Sequence, residues 1–343
     1  MTLPVGDGGR GDIGGNIGGD IGGDIAGDIG PQMIADAALP PTGAYHVSGN
    51  TIYDPNGHPH VFRGLARPSL EWNSAGEFLS QGDYQLMASW QANVVRLSLN
   101  QDFWLSGASN YAPNYQNRVD QQVRWAEQAG LDVILDLHWS DRGDLHNASP
   151  GQQRMADANS VTFWGQVAAH YGNDPRVLFE LYNEPHDVSW DVWLSGGPSG
   201  DGFTAVGMQQ LYDTVRASAQ NLVIIGGLDF AYNLSGVPTH RVNGHDIVYN
   251  THPYNQPNKM PGNWDGDFGF LSATDPLIAT EFGSFDCSTG YYSQLIAYLA
   301  QHQASWTAWA WYAKDCQFPS LIVDWSGTPS AAGQVVKTAL TGH

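Results

Sequence analysis

Short apolar runs alternate with segments of helical periodicity from about residue 44 to the end of the chain. The runs are rich in Val, Ile, Leu and aromatic residues, which favours β-strands. Helical patterns lie between them, for example at residues 117–129 and 291–300. The predicted strands are residues 61–66, 93–99, 132–138, 177–183, 222–228, 247–254, 277–283 and 306–312.

The strand–helix alternation predicts the α/β fold class. Strands that are apolar nearly throughout are typical of a parallel sheet covered by helices on both faces. Eight such units favour a closed (β/α)8 TIM barrel over an open, doubly wound sheet. No Gly-x-Gly-x-x-Gly motif follows the first strand, which removes the main signal for dinucleotide binding. Ahead of the barrel, residues 45–64 predict a short N-terminal β-hairpin with Asn56-Gly57 as its turn.

The first 40 residues differ in composition from the rest of the chain. Between residues 11 and 30, Asp or Asn recurs at every fourth position among glycines and isoleucines. The glycine content opposes a helix, and the period differs from the nine-residue calcium-binding repeat that is the alternative. We therefore predict a disordered Gly/Asp-rich low-complexity tail at residues 1–40 and a catalytic domain at residues 44–343.

Polar and aromatic residues collect at the C-terminal ends of the predicted strands, where (β/α)8 barrels carry their chemistry. One polar residue at a strand end means little, but six strands of the eight deliver one here. Packing alone would hardly produce such a set. In strand order the residues are Arg96, His138 and Trp139, Asn183 and Glu184, His252 and Tyr254, Glu281, and finally Trp309 and Trp311.

Two of these residues, Glu184 and Glu281, close the fourth and seventh predicted strands and can point into one mouth. Hydrolysis of a glycosidic bond uses such a pair, one as proton donor and one at the anomeric carbon. We expect Glu184 to keep its proton through an apolar setting or a neighbouring negative charge. We expect Glu281 to stay ionised and to accept hydrogen bonds from Arg96 and Tyr254, with Asn183 placed to hold a sugar hydroxyl.

Asn183-Glu184-Pro185 after an apolar strand, followed by IATEFG at residues 278–283, resembles glycoside hydrolase family 5. The resemblance spans roughly residues 44–340 and implies a retaining mechanism, with Glu184 as acid/base and Glu281 as nucleophile. It also implies a site tryptophan on strand eight, which Trp309 matches best and for which Trp311 is a rival. A cis peptide bond after Trp309 and a substrate-binding lysine at Lys314 are implied as well. The family's recurrent site residues match Arg96, His138, Asn183, Glu184, His252, Tyr254, Glu281 and Trp309.

The resemblance and the site residues together predict cleavage of internal β-1,4 linkages of a glucan such as cellulose, with no metal or organic cofactor. One alternative keeps the mechanism but acts on mannan or another β-glycan. A second is a catalytically silent carbohydrate-binding protein. A third is a metal-dependent hydrolase using His138 and His252 with Asp136 or His146, although no His-Glu-x-x-His spacing occurs. Asp136 shares strand parity with His138, so we expect it to support that ring.

Composition narrows the class of partner. A net charge of −20 argues against nucleic acid and against an anionic membrane surface. The 13 Trp and 15 Tyr residues offer flat apolar faces with polar tips, which suit sugar rings. A polysaccharide or oligosaccharide substrate therefore fits best, and Trp139 and Trp264 are the first candidates for sugar platforms.

Features of the termini and cysteines bear on localisation. No apolar run approaches the length of a membrane span, and the first ten residues lack the pattern of an intact signal peptide. Cys287 and Cys316 fall on predicted loops after neighbouring strands, so a disulfide at the rim of the cleft is favoured over two free thiols. We expect a secreted or periplasmic monomer.

Overall fold

The computed structural model describes residues 43–147, 150–286, 288–316 and 318–342. The predicted tail at residues 1–40 and Cys287 lie outside these ranges, so the division of the chain into tail and domain stays a prediction. Within the described ranges, none of the helices combines the length and apolar character needed to cross a lipid bilayer.

The strands form one closed parallel barrel and two small antiparallel sheets. In chain order they are β1 (His46–Ser48), β2 (Thr51–Tyr53), β3 (Pro59–His60), β4 (Arg63–Arg67), β5 (Val94–Asn100), β6 (Asp132–Trp139), β7 (Val177–Glu180), β8 (Gly197–Pro198), β9 (Thr204–Ala205), β10 (Val223–Gly226), β11 (Ile247–Asn250), β12 (Leu277–Ala279) and β13 (Ser305–Ala308).

Helices connect the barrel strands and pack around them. They are α1 (Gln81–Ser89), α2 (Gln101–Trp104), α3 (Tyr115–Gln128), α4 (Ala158–Tyr171), α5 (Trp190–Ser195), α6 (Met208–Arg216), α7 (Pro261–Asp267), α8 (Thr289–Gln301) and α9 (Ala331–Thr341), with a 3₁₀ turn at Gly269–Ala273. Helix α4 shows how the sequence sets a boundary. The Asp157 side chain accepts from the Ser160 backbone while the Ser160 hydroxyl accepts from the Asp157 backbone, which is a capping box.

The predicted (β/α)8 barrel is confirmed. Strands β4 to β7 and β10 to β13 are the eight predicted strands, and β13 pairs with β4 to close the barrel. The predicted N-terminal hairpin is also present, extended to a three-stranded sheet. Its predicted turn at Asn56-Gly57 joins β2 to β3.

Several strands end earlier than their apolar runs. Strand β7 stops at Glu180 and β12 stops at Ala279, whereas the runs extend to residues 183 and 283. Leu181 and Tyr182 are fully buried although they lie beyond the ladder. The Leu181 N–H still donates to Ile224 O of β10, and the Asn183 N–H donates to Leu137 O of β6, so this segment keeps hydrogen bonds to both neighbouring strands where the regular ladder ends. The polar residues at the ends of these two runs therefore lie just beyond the regular ladders.

Strand parity builds the barrel interior in layers. One layer is apolar and fully buried, and it packs on Ile52 of β2; it consists of Val94, Ile134, Leu178, Ile224, Val248 and Ile278. Because side chains alternate along a strand, the residues two positions later face the same interior. They include the polar groups Arg96, Asp136, Glu180, Asn250 and Thr280. The layer beneath the mouth of the barrel is thus polar, and it packs on the apolar layer below it.

Candidate active site

Arg96 organises the floor of the mouth. Its side chain is fully buried, where a charge is costly unless it is paired. It contacts three acidic side chains: Nε lies 2.7 Å from Glu180 Oε2, Nη2 lies 3.0 Å from Asp136 Oδ2, and Nη1 lies 2.8 Å from Glu281 Oε2. Nη2 also donates to Asn183 Oδ1 at 2.7 Å. One guanidinium therefore links four barrel strands.

Glu281 is held by two donors. Arg96 Nη1 binds Oε2 at 2.8 Å, and the Tyr254 hydroxyl donates to Oε1 at 2.6 Å. Both predicted contacts are present. Each carboxylate oxygen thus has a short, charge-assisted hydrogen bond, and the side chain is only 8% exposed.

Glu184 differs from its prediction. His252 Nδ1 lies 3.1 Å from Oε1, and Gln152 Nε2 donates to Oε2. Burial favours the neutral acid, but these donors and the charge on His252 outweigh it and lower the pKa of Glu184 to about 2. The expectation of a raised pKa is wrong for the site without substrate, because the neighbour is a cation rather than an anion.

His252 is the partner that holds the proton. Burial alone would lower its pKa, but Glu180 and Glu184 on either side raise it to about 9. Its Nε2 lies 3.6 Å from Glu180 Oε1 and 2.9 Å from the Thr280 hydroxyl. Thr280 and Asn250 both donate to that same Glu180 oxygen, at 2.8 and 3.0 Å. The ring is thereby fixed between an inner carboxylate and Glu184.

Glu184 and Glu281, which follow β7 and β12, lie close together in space. One oxygen of Glu184, one of Glu281 and a ring nitrogen of His252 all lie within 4.8 Å of one another. Retaining glycosidases separate their carboxyl groups by about 5–5.5 Å and inverting ones by about 6.5–9.5 Å. The short separation can support attack by one carboxylate while the other handles a proton.

The same three groups are the candidates for a metal ion. Among the described residues, the one group of three or more ligand side chains that converges contains neither His138 nor His146. The predicted alternative joins His138 to His252 with Asp136 or His146, but His252 converges with Glu184 and Glu281, whereas Asp136 contacts Arg96 and His138. In the converging group, Arg96 and Tyr254 already occupy both oxygens of Glu281. A cation placed there would face the guanidinium, which disfavours it.

His138 and Trp309 line one side of the mouth. The predicted support by Asp136 is present, with its Oδ2 at 2.6 Å from His138 Nδ1. The His138 ring stacks parallel to Trp309 at a centroid distance of 5.9 Å. The Trp309–Ala310 peptide bond is cis, as the resemblance implied. Trp311 is excluded as a rival: it is fully buried against Trp90, because regular alternation stops with β13 at Ala308.

The remaining predicted binding residues have different outcomes. Lys314 is exposed, with Nζ 5.3 Å from the ring centre of Phe318, which packs on Trp309. Trp139 ends β6 and is partly exposed. The prediction of Trp264 as a sugar platform is wrong. It is 1% exposed within α7, where its indole packs on Tyr291 and Tyr298.

Sequence reasoning missed several residues of the site. Glu180 carried a readable signal, since an acidic residue inside an apolar strand needs a buried partner. Asn250 and Thr280 share its layer. Gln152 comes from a loop and had no signal. Glu71 is also buried beside His138; burial raises its pKa to about 7, and its Oε1 has no hydrogen-bond partner within the described part of the chain.

Cys316 is disulfide-bonded. The sequence has one other cysteine, Cys287, which lies outside the described residues. The bond agrees with the predicted pairing on the loop after β13.

Comparison with known proteins gives consistent relatives. The chain is 27% identical over 219 residues to Endoglucanase C of Evansella cellulosilytica, covering 60% of this chain and 25% of that protein. It is 24% identical over 323 residues to Endoglucanase E-5 of Thermobifida fusca, covering 87% of this chain and 64% of that protein. The chain thus spans less than two thirds of these curated relatives.

Solved structures share the fold. A beta-glucanase from Saccharophagus degradans superposes with a TM-score of 0.70 at 24% identity, covering 87% of this chain and 93% of the other. The catalytic domain of a Thermobifida fusca endoglucanase in complex with cellotetraose gives a TM-score of 0.68 at 21% identity, covering 87% and 97%. Residues 53–315 match the model of the family Cellulase (glycosyl hydrolase family 5). Since that match covers most of the chain and contains both glutamates, the protein belongs to glycosyl hydrolase family 5.

Proposed function

We propose that the protein is a retaining endo-β-1,4-glucanase that cleaves internal bonds of a glucan such as cellulose by double displacement. The observation that carries the proposal is the convergence of Glu184 and Glu281 within 4.8 Å above the Arg96 floor. The curated relatives described above are endoglucanases, and one structural neighbour was solved with cellotetraose, which supports a β-glucan substrate.

In the first step Glu281 attacks the anomeric carbon while Glu184 gives its proton to the glycosidic oxygen. The carbon–oxygen bond breaks, the leaving sugar carries the proton away, and Glu281 is left as a glycosyl ester. Arg96 and Tyr254 orient the attacking carboxylate. Arg96 also fixes the amide of Asn183 through Oδ1, which leaves Nδ2 as the donor to a sugar hydroxyl.

The proton for this step comes from the His252–Glu184 pair. Without substrate the pair shares one proton, held on His252. Burial pushes both groups toward their neutral forms. A bound sugar removes more water, so it favours transfer of the proton from His252 to Glu184. The acid is thus made when the substrate is in place.

In the second step the Glu184 carboxylate takes a proton from water, and the resulting hydroxide oxygen attacks the anomeric carbon. Glu281 leaves as a carboxylate, which restores the site with retained configuration. Trp309 and His138 present a flat wall to the sugar ring, and Trp139 and Lys314 serve as further substrate contacts.

Reducing ends released from carboxymethylcellulose, mannan, xyloglucan and laminarin test the substrate. We expect carboxymethylcellulose to be cleaved fastest. Faster release from mannan would favour the alternative substrate, and release from none would refute the enzyme in favour of a carbohydrate-binding protein. Glu281→Ala should abolish release, and a rate equal to that of the wild type in this variant would refute the mechanism.

We propose further that the protein acts as a secreted or periplasmic monomer without a metal. The disulfide of Cys316 supports an oxidising compartment. Full activity after dialysis against a chelator is expected, and size-exclusion chromatography should give one chain per particle.

A further inference from the structure

Six aromatic side chains form a continuous strip that leads away from the mouth, which we call the aromatic shelf. Its members come from the segments after β4 and β13, which are neighbouring strands. Starting at Trp309, consecutive ring centres are 5.6 Å apart to Phe318, 5.1 Å to Tyr312, 5.2 Å to Trp325 and 5.0 Å to Phe78. Trp72 packs edge-on against both Tyr312 and Phe318, at 5.8 and 6.0 Å.

Exposure rises along the shelf. Trp309 is 7% exposed, the four middle rings are partly exposed, and Phe78 is 68% exposed. A single exposed aromatic needs no explanation. Here the exposed ring lies stacked on Trp325, 26° from parallel, at the end of a strip that starts beside the catalytic carboxylates.

The backbone at Phe78 has a conformation that phenylalanine disfavours. Its φ is +53°, in the left-handed region where a bulky residue is strained by about 1–3 kcal/mol. Burial does not explain this choice, because the ring is 68% exposed and Gly or Asn would fit the backbone better. A strained, exposed aromatic points to selection for the surface that it presents.

The adjoining residue, Glu77, is fixed at three points. Its backbone N–H donates to Ser69 Oγ at 3.0 Å, its carbonyl accepts from Arg67 Nη2 at 2.7 Å, and its carboxylate accepts from the Tyr312 hydroxyl. Arg67 is itself buried and paired with Asp83. The Arg67 guanidinium also lies 4.8 Å from the centre of the Trp325 ring. We call Phe78 with Trp325 the outer shelf. These contacts order it before any ligand binds, which reduces the entropy lost on binding.

We propose that the outer shelf binds the sugar units of a β-glucan chain that lie beyond those held at the carboxylates. The exposed face of Phe78, which is backed by Trp325, makes the contact. The occupant is the continuation of the same substrate chain, because the shelf is continuous with the mouth and β-linked sugars present flat apolar faces to aromatic rings. The consequence is a dependence of activity on chain length. This inference rests on the proposed function.

The variant Phe78→Asn separates binding from folding. Asn accepts a positive φ, so the variant should fold with an unchanged or higher melting temperature. We expect kcat/KM for cellohexaose and carboxymethylcellulose to fall about three- to tenfold, on the scale of one aromatic contact, with cellotriose unchanged. Phe78→Tyr should restore the wild-type profile. The matched control is Phe270→Ala, which removes a 39% exposed ring on the 3₁₀ turn that precedes β12, away from the mouth.

The inference can fail separately from the proposed function. Equal loss on short and long substrates, or no loss on either, would overturn the shelf while leaving the glucanase in place. A change of oligomeric state in Phe78→Asn with an unaltered chain-length profile would assign the shelf to contacts between copies, and would also overturn it. Should the wild type cleave no glucan, the proposed function fails, and cellohexaose binding by calorimetry still decides the shelf: Phe78→Asn must weaken it.

Discussion

His252 lies between two carboxylates, and the variant His252→Gln tests whether it holds the proton used in catalysis. Its Nδ1 is 3.1 Å from Glu184 Oε1, and Glu180 lies on the other side. Glutamine keeps a donor near Glu184 but cannot carry a charge. The substitution therefore removes the proton store without emptying the space.

The magnitude follows from the geometry. Two unit charges 3.1 Å apart interact by about 5 kcal/mol at an effective dielectric constant of 20, which corresponds to roughly 4 pKa units. In the wild type the pair loses its proton as the pH rises through the pKa of His252, which is about 9. In His252→Gln the proton resides on Glu184 alone. Without the cation, the pKa of Glu184 is set mainly by burial, which acts to raise it.

The assay is the pH dependence of kcat/KM between pH 4 and 10 on a soluble oligosaccharide. We expect the alkaline limb near pH 9 in the wild type and about 2–4 pH units lower in His252→Gln. His240→Gln is the matched control, since its ring contacts Asp191 and Trp190 and, among the described residues, forms no ion pair with Glu180, Glu184 or Glu281. An alkaline limb that stays near pH 9 in His252→Gln would refute the assignment of the shared proton.

Stability gives an independent check with a defined sign. The raised pKa of His252 contributes stability that is complete below pH 6.5 and lost as the pH rises toward about 9. The lowered pKa of Glu184 contributes stability that is complete above pH 4.5 and lost as the pH falls toward about 2. The deficit of His252→Gln in urea unfolding should therefore be largest between pH 4.5 and 6.5.

Three further predictions concern stability. Burial raises the pKa of Glu71 from 4.5 to about 7, so ionising this carboxyl destabilises the folded protein at pH 8. The change in the free energy of unfolding caused by Glu71→Gln should therefore be more stabilising at pH 8 than at pH 4.5, by up to about 3 kcal/mol. Equal changes at both pH values in urea titrations would contradict this. Arg96→Met should cost at least 3–5 kcal/mol because it leaves buried carboxylates without their cation, and a smaller cost in the same titrations would mean that they take up protons instead. Reduction of the Cys316 disulfide should lower the melting temperature measured by calorimetry, whereas an unchanged value would show that the bond adds nothing to stability.

The sequence predicted the barrel because strand and helix periodicities repeat eight times, and it predicted the mouth because parallel strands end together. Glu184, Glu281, Arg96 and Tyr254 could be placed by this reasoning. In the structure Arg96 and Tyr254 contact Glu281, and an oxygen of Glu184 lies within 4.8 Å of one of Glu281. The strand limits could not, since Leu181 and Tyr182 are as apolar and as buried as the strand residues before them, although the regular ladder ends at Glu180.

Side-chain partners were harder to predict than positions. The pKa of Glu184 depends on His252 and Gln152, one from another strand and one from a loop, and the sequence does not state that they meet there. The prediction for Trp264 was wrong because a tryptophan in a predicted loop can pack inside the protein as readily as it can line a cleft. The polar floor could have been predicted from the alternation of side chains along the strands, since Asp136 and Glu180 point to the same interior as Arg96 and contact it.

Two cations, Arg96 and the protonated His252, face the three carboxylates of Glu180, Glu184 and Glu281, so anions exceed cations in the cleft even without a charge on Asp136. An electron-poor ring centre that develops positive charge during bond cleavage therefore meets an attractive field before any group moves. We expect protonated nitrogen-containing sugar mimics to bind more tightly than their neutral counterparts. Because salt screens buried charges much less than exposed ones, their affinity should weaken only slightly as the ionic strength rises.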